Sequence, residues 1–218
     1  MRLKPLSKTV ITPLIADLAL SGEVFRDVPV FLAAHGHPRT AIHCEKVARE
    51  AARIARSLGA AGRRAELAGW LHDVSAVFPP EERLETARAL GVEILPAEAA
   101  FPLLLHQKLS AVLARELFGV EDAGVLSAIR CHTTLRSGAT RLDKIVFVAD
   151  KLAWDQPGVP PYATRMRAEL ARSLDAGTFV YLDYLWERRD ALKAVHPWFV
   201  AAYEERLKVE KQELKVES

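Results

Sequence analysis

Helical periodicity along most of the chain, the lack of any sustained two-residue alternation, and an apolar content of 50% in 218 residues predict an all-α protein with a core large enough to fold without a disulfide or metal staple. Thr40 reads as the N-cap of a helix running to about Gly59, with Ile42, Val47, Ala51, Ile54 and Leu58 as its apolar face. A second helix is expected from about Arg63 to Val74, with Leu67, Trp70 and Leu71 inward and its end forced before Pro79 and Pro80. PPEERLETARALG reads as a short helix with proline in its first turn and Gly91 at its end. Further helices are expected at about Ala97 to Gly119, broken near His106, and at Asp122 to His132. TTLRSGAT reads as a loop, Leu142 to Trp154 as a strongly apolar helix, and DQPGVPPY as a turn marking a boundary. Three more helical stretches follow Tyr162, the last ending in EERLKVEKQELKVES, which is expected to be a solvated, fraying helix end.

A formal net charge of +2, with acids and bases dispersed, argues against a nucleic-acid surface and leaves a small anionic ligand open. Cys44 and Cys131 form neither a disulfide framework nor a CxxC pattern, and read as small core residues in a reducing compartment. The N-terminus turns from basic to apolar, but Pro13 and Asp17 interrupt it and no cleavage site follows. No stretch approaches the roughly 20 apolar residues of a membrane span, so a cytoplasmic location is expected.

Chemistry concentrates in six residues. His43, His72, His106 and His132 fall on or beside apolar helical faces, and each taken singly would more often be a hydrogen-bonded core histidine than a ligand. Asp150 lies inside the helix KIVFVADKLAW, too far from its start to be a cap, and Asp73 follows His72 directly. Adjacent helical side chains diverge by about 100°, so a ligand common to His72 and Asp73 requires the helix end to relax, as the nearby prolines allow. A divalent cation would offset the desolvation of all six groups. Nitrogen and oxygen donors without thiolate point to iron, manganese, zinc or magnesium, magnesium being least suited to four imidazoles. Six ligands with one carboxylate bridging would fit two ions about 3.5 to 4 Å apart. His35, His37 and His196, beside glycine or proline, are assigned no role.

The series H…HD…H…H…D on an all-helical chain resembles the HD superfamily of metal-dependent phosphohydrolases. Its neighbouring words, HCEKVA, AGWLHD, LLLHQKLSAVLARELFG, AIRCHTT and LDKIVFVADK, are most similar to the YqeK family, which hydrolyses diadenosine tetraphosphate symmetrically to two ADP. The likeness covers roughly residues 40–160. It implies an HD-domain helical bundle over 40–160, an N-terminal extension over 1–39, and additional C-terminal helices over 161–218 packing on the core, whose Trp-rich segment from Tyr181 to Trp198 the likeness leaves unassigned.

By the same resemblance, His43, His72, Asp73 and Asp150 would hold one metal, and Asp73 would bridge to a second held by His106 and His132. The implied cofactors are two divalent ions, iron first, with manganese or zinc as alternatives. The implied nucleophile is a metal-bound hydroxide held at Asp73. Cys44 and Cys131 should then point away from the metals. Family members often carry a lysine three residues after the HD aspartate, where this chain has Ala76. They also commonly follow the last aspartate with Glu-Pro and a nearby arginine, where this chain has Ala153, Trp154 and Gln156. Lys108, Arg136 and Lys151, nearest in sequence to the proposed ligands, are therefore the expected phosphate contacts. Trp154 reads either as an adenine platform or as core. The expected partner is a dinucleoside polyphosphate or another nucleotide, without nucleic acid or membrane, and a homodimer is left open. A di-iron oxygenase and a degenerate HD module binding a nucleotide or a protein stand as the competing classes.

Overall fold

The computed structural model describes the backbone of residues 9–216 and the side chains of residues 9–208. The basic N-terminal octapeptide and most of the charged run at the C-terminus, whose solvated fraying was expected, have their side chains outside the described residues. Within them the chain is all-α, with no strand. After a 3-10 turn at Thr12–Ile15 come α1 (Val24–Ala34), α2 (Pro38–Ser57), α3 (Gly62–Leu71), α4 (Arg83–Ala89) and α5 (Pro96–Ala100). Then follow α6 (His106–Glu116), α7 (Ala123–Cys131), α8 (Arg141–Leu152), α9 (Ala163–Arg172), α10 (Leu174–Trp186) and α11 (Pro197–Val216). Among the described residues no helix is long and apolar enough to cross a membrane.

Helix ends follow the local chemistry. Helix α2 starts at Pro38, with His37 in the N-cap position and Thr40 already inside, because proline tolerates the first turn, where its missing N–H costs nothing. Ile42, placed on the apolar face by its spacing, is 56% exposed, whereas its neighbours Ala41 and His43 turn inward. Pro79 and Pro80 lie in the turn before α4 rather than in its first turn. Asp122 caps α7 by accepting from the amides of Gly124 and Val125 at 2.9 and 3.1 Å. Thr140 and Asp143 form a reciprocal capping box on α8. The break expected near His106 is a 3-10 turn, Pro102–Leu105, that feeds directly into α6.

Two apolar cores share α2. One gathers Phe31 and Leu32 of α1, Leu71 of α3, Leu109 and Leu113 of α6 and Ile129 of α7. The other gathers Val47 and Ile54 of α2, Ile145 and Val148 of α8, Met166 of α9, Val180 of α10, and Phe199 and Tyr203 of α11. Helix α2 lends adjoining parts of one buried face to the two cores, Ala41 and Cys44 to the first and Val47, Ala51 and Ile54 to the second. Its crossing with α3 depends on Gly69, where an added Cβ would come within 2.5 Å of the Ala48 Cα. Glycine there lets the two backbones touch and brings the end of α3 beside His43.

A buried polar knot ties the start of α11 to this frame. Glu98 of α5, wholly excluded from solvent, accepts from Lys108 Nζ of α6 at 2.7 Å and faces His196 Nε2 at 3.2 Å, while Lys108 also donates to the Glu93 carbonyl. Burial alone would raise the Glu98 carboxyl, but His196, the Leu95 amide and Lys108 hold it below its usual 4.5. A carboxylate depressed in the folded state stabilises the fold at neutral pH, and that contribution is lost as pH falls through the lowered value. Glu98→Gln should therefore cost about 3–5 kcal/mol at pH 7, because it leaves Lys108 charged and uncompensated. Urea unfolding of the two proteins should show the gap narrowing as the pH is lowered below 4.5.

Candidate metal centre

Each of the six sequence-selected residues sits where a helix begins, ends or faces the seam between the two cores. Helix α3 stops at Leu71; His72 keeps helical angles, but Asp73 has φ −117° and ψ 18° and leaves the helix. This relaxation brings the two adjacent side chains to one side, which a continuing helix would forbid. His106 opens α6, His132 follows the last residue of α7, His43 lies in the second turn of α2, and Asp150 projects from the last turn of α8.

Three of the imidazoles share one local device. The Nδ1 of His72 donates to the Gly69 carbonyl at 2.8 Å, that of His106 to Leu103 at 2.6 Å, and that of His132 to Ile129 at 2.8 Å. A carbonyl can only accept, so the proton is fixed on Nδ1 and the Nε2 lone pair is turned toward the centre. These Nε2 atoms meet the carboxylates. Asp73 Oδ2 is 3.5 Å from His72, while its Oδ1 is 3.5 Å from His106 and 3.6 Å from His132. Asp150 Oδ1 lies 3.1 Å from His43 and 3.6 Å from His72. Asp73 thus divides its two oxygens between the two sides of the cluster. His72 is sealed from solvent and the Asp73 side chain is 28% exposed, so the mouth of the site lies at Asp73.

Charge is strongly coupled here. Desolvation alone would raise Asp73, yet His72, His132 and His106 hold its carboxyl far below the usual range. Burial would likewise raise Asp150, which Lys151, His43 and His72 hold well down. Burial pushes His106 down to about 4 and lowers His132, whereas in His72 the opposing pull of Asp73 and Asp150 prevails and raises the imidazole.

Two observations test whether divalent cations fit. His72 Nε2 is buried with no hydrogen-bond partner. The Nε2 atoms of His106 and His132 face each other at 3.1 Å although each ring already places its proton on Nδ1, so two lone pairs are opposed unless a cation lies between them. His43, His72 and Asp150 form one group with donor atoms close enough to hold an ion, and His72, Asp73 and His132 form another. Four imidazoles and two carboxylates suit a first-row divalent metal.

The remaining candidates separate. Lys151 is at the centre: its Nζ lies 2.5 Å from Asp150 Oδ2, donates to the His132 carbonyl at 3.3 Å, and sits over the rings of Phe147 and Tyr181 at 5.2 and 5.3 Å. Lys108 is corrected: two residues beyond His106 on a helix it turns about 200° away, and its ammonium ends in the Glu98 knot. Arg136 is corrected as well, since it pairs with Asp143 at 3.0 Å and Ser127 at 3.0 Å and lines cavities that contain none of the six residues. Cys131 faces Asp143 and Arg136, away from the cluster, its thiol pushed up by burial to about 12. Cys44, expected to point away, instead lies against His72 and Asp73, kept protonated by burial. Trp154 is half-buried beside Leu170 and Arg167, and its indole nitrogen is enclosed without a partner. His35 bonds the Phe31 carbonyl, and His196 belongs to the Glu98 knot.

Several supporting groups are assigned no role from the sequence. Thr133 Oγ1 lies 2.9 Å from His106 Nε2, beside the lone pair that faces the centre. Gln107 holds the turn after His132 by accepting from the amides of Thr133 and Thr134. Ser75 donates to the His106 carbonyl and accepts from Ser110, pinning the turn after Asp73 to α6. Arg83 lies close enough for its charge to act on Asp73 and His106. Gln107 and Thr133 stand in the quoted words LLLHQKLSAVLARELFG and AIRCHTT, but their roles, like those of Ser75 and Arg83, pass through partners distant in sequence.

Comparison with known proteins bears on the family and the fold. A family model described as HD domain matches residues 40–155. An uncharacterized protein from the 5' region of pepC in Lactococcus lactis subsp. cremoris is 43% identical over 139 residues, which is 64% of this chain and 70% of that protein. The chain is 34% identical over 137 residues to a symmetrical bis(5'-nucleosyl)-tetraphosphatase of Bacillus subtilis, covering 61% of this chain and 72% of that one. A protein of the same description from Halalkalibacterium halodurans is 30% identical over 158 residues, 71% of this chain and 81% of that one. The crystal structure of an HD superfamily hydrolase from Clostridium acetobutylicum, described as involved in NAD metabolism, superposes with a TM-score of 0.77 over 84% of this chain and 97% of that chain; at 23% identity it bears on the fold alone.

The position of Lys151 predicts an effect that can be measured directly. By holding Oδ2 of Asp150 it leaves Oδ1 facing His43 and His72. Lys151→Met should weaken metal binding by about 10–100-fold, the usual cost of losing an outer partner of a ligand, in a chelator competition that leaves the helical circular dichroism unchanged.

Proposed function

Because the chain belongs to the HD domain family, a family of phosphohydrolases, we propose that it is a metal-dependent hydrolase that cleaves diadenosine tetraphosphate symmetrically to two ADP. The observation that carries the reading is the division of Asp73: one carboxylate oxygen faces His72 and the other faces His106 and His132. Such a carboxylate is built to serve two cations at once. The substrate rests on the names of the relatives in Bacillus subtilis and Halalkalibacterium halodurans.

In this reading His43, His72, Asp73 and Asp150 hold one ion, and Asp73, His106 and His132 the other, with iron first and manganese or zinc as alternatives. Bound divalent cations would supply a water of lowered pKa and positive charge for the phosphate oxygens. The chain's own part is to keep its donors aimed. Carbonyl-anchored Nδ1 protons keep three imidazoles in the tautomer that offers Nε2. Asp73, at the open side, is the catalytic carboxylate that orients the attacking water toward the phosphorus. Water oxygen bonds to one central phosphorus as the bridging P–O–P bond breaks, so each half leaves as a nucleoside diphosphate and one proton is released. Lys151 stays on Asp150 as a positioning residue.

Protein reconstituted anaerobically with Fe(II) or Mn(II) should convert diadenosine tetraphosphate to ADP alone when the nucleotides are separated. Asp73→Ala should lose more than about 100-fold in rate, beyond the cost of an outer partner, with helical content retained. AMP and ATP as products would refute the symmetrical cut, and untouched substrate in the presence of bound metal would refute the substrate.

A further inference from the structure

We infer that Arg83 is the residue that grips the substrate's phosphates, an assignment that rests on the reading of the centre as a phosphohydrolase site. Arg83 opens α4, and EERLETARAL reads as an ordinary amphipathic surface helix in which an arginine would be solvated. Instead it is only 6% exposed. A guanidinium is permanently charged and carries five N–H donors. In the structure it donates to two carbonyls: Nε to Phe78 at 3.2 Å and one Nη to Leu103 at 3.4 Å.

The other buried cations differ in one respect. Lys108 has Glu98 at 2.7 Å and Lys151 has Asp150 at 2.5 Å. Among the described residues, Arg83 is the buried cation without a carboxylate in ion-pair range; Asp73 and Glu81 act on it only from farther away. A charge withdrawn from water and left without a counter-ion is costly, and an anionic ligand would supply what the fold omits.

Its position selects that ligand. The Leu103 carbonyl accepts from both Arg83 and His106 Nδ1, which sets the guanidinium next to His106 at the edge of the centre. The Nε bond is buried, whereas the Nη1 bond is partly open, so the unspent donors lie at the accessible end. A planar fork of donors beside a metal-ligand cluster matches non-bridging phosphate oxygens. Ala76 leaves the turn after Asp73 without a cation, and Arg83 brings one to the centre from the next helix. Metals bound by Asp73 would leave it still without a counter-ion, so the need for an anion persists in the loaded protein.

The test uses inorganic pyrophosphate, which reports phosphate binding without a nucleoside. With the Mn(II)-loaded protein in titration calorimetry, Arg83→Gln should weaken pyrophosphate binding by about 10–100-fold while metal affinity in chelator competition stays within about twofold; a pair of charge-assisted hydrogen bonds is of this size. Arg83→Lys, which keeps the charge and loses the fork, should keep the unfolding temperature and still bind pyrophosphate several-fold more weakly. If Arg83→Gln does not fold, the Lys variant decides alone. Pyrophosphate bound equally by wild type and Arg83→Lys, or not bound by metal-loaded wild type, overturns the assignment. Loss of pyrophosphate binding in the variants together with untouched diadenosine tetraphosphate in the wild type would uphold Arg83 and refute only the substrate.

Discussion

Asp73 holds a carboxylate where three imidazoles converge, and much of the surrounding fold serves to keep those groups within about a hydrogen bond's reach of one another. The Nε2 lone pairs of His106 and His132, opposed at 3.1 Å beside that carboxylate, are poorly satisfied by protein alone. The constraint therefore runs outward from the centre. Helix α3 must end at Leu71 so that His72 and Asp73 can face the same way, and Gly69 must lack a side chain so that this end can lie against α2. Ser75 and Ser110 then fix the following turn to α6, whose first residue is His106. Alignment at helix ends explains the repeated bond from Nδ1 to the carbonyl three residues earlier, since at those positions the carbonyl is free of a helical partner or shares it readily.

The helical class and the six converging residues were legible in the sequence for a single reason. Ionisable groups at positions where helical periodicity calls for apolar ones stand out against that pattern, and the pattern is local. What depends on the third dimension was not legible. Lys108 follows His106 by two residues, yet the helix turns it onto the opposite face, where Glu98 and His196 enclose it. Cys44 adjoins His43 and was expected to turn away, but α3 crosses so closely at Gly69 that the thiol is pressed against His72. Ile42 looked like core and faces solvent. Arg83, to which the sequence assigns no role, is buried. In each case sequence proximity, or one-dimensional hydropathy, was overruled by which helix packs across the residue.

The C-terminal helices lie outside the segment matched by the HD domain model, yet they are part of the structure's energetic frame. Met166, Val180 and Phe199 share an apolar core with Val47 and Ile145. Tyr181 of α10 places its ring over the ammonium of Lys151, so a helix beyond the matched segment touches an outer partner of Asp150. At the other end of that region, His196 closes the Glu98 knot against Lys108. The two contacts tie the C-terminal helices to α8 on one side and to α5 and α6 on the other.

The central claim is that these six side chains are assembled for two cations that share Asp73. Its most direct test is an anaerobic Mn(II) titration followed by electron paramagnetic resonance, which separates an isolated ion from a coupled pair. The account predicts about two ions per chain at saturation and the multiline spectrum of a coupled pair, consistent with a spacing of about 3.5–4 Å. One ion per chain, or two ions without coupling, would contradict it.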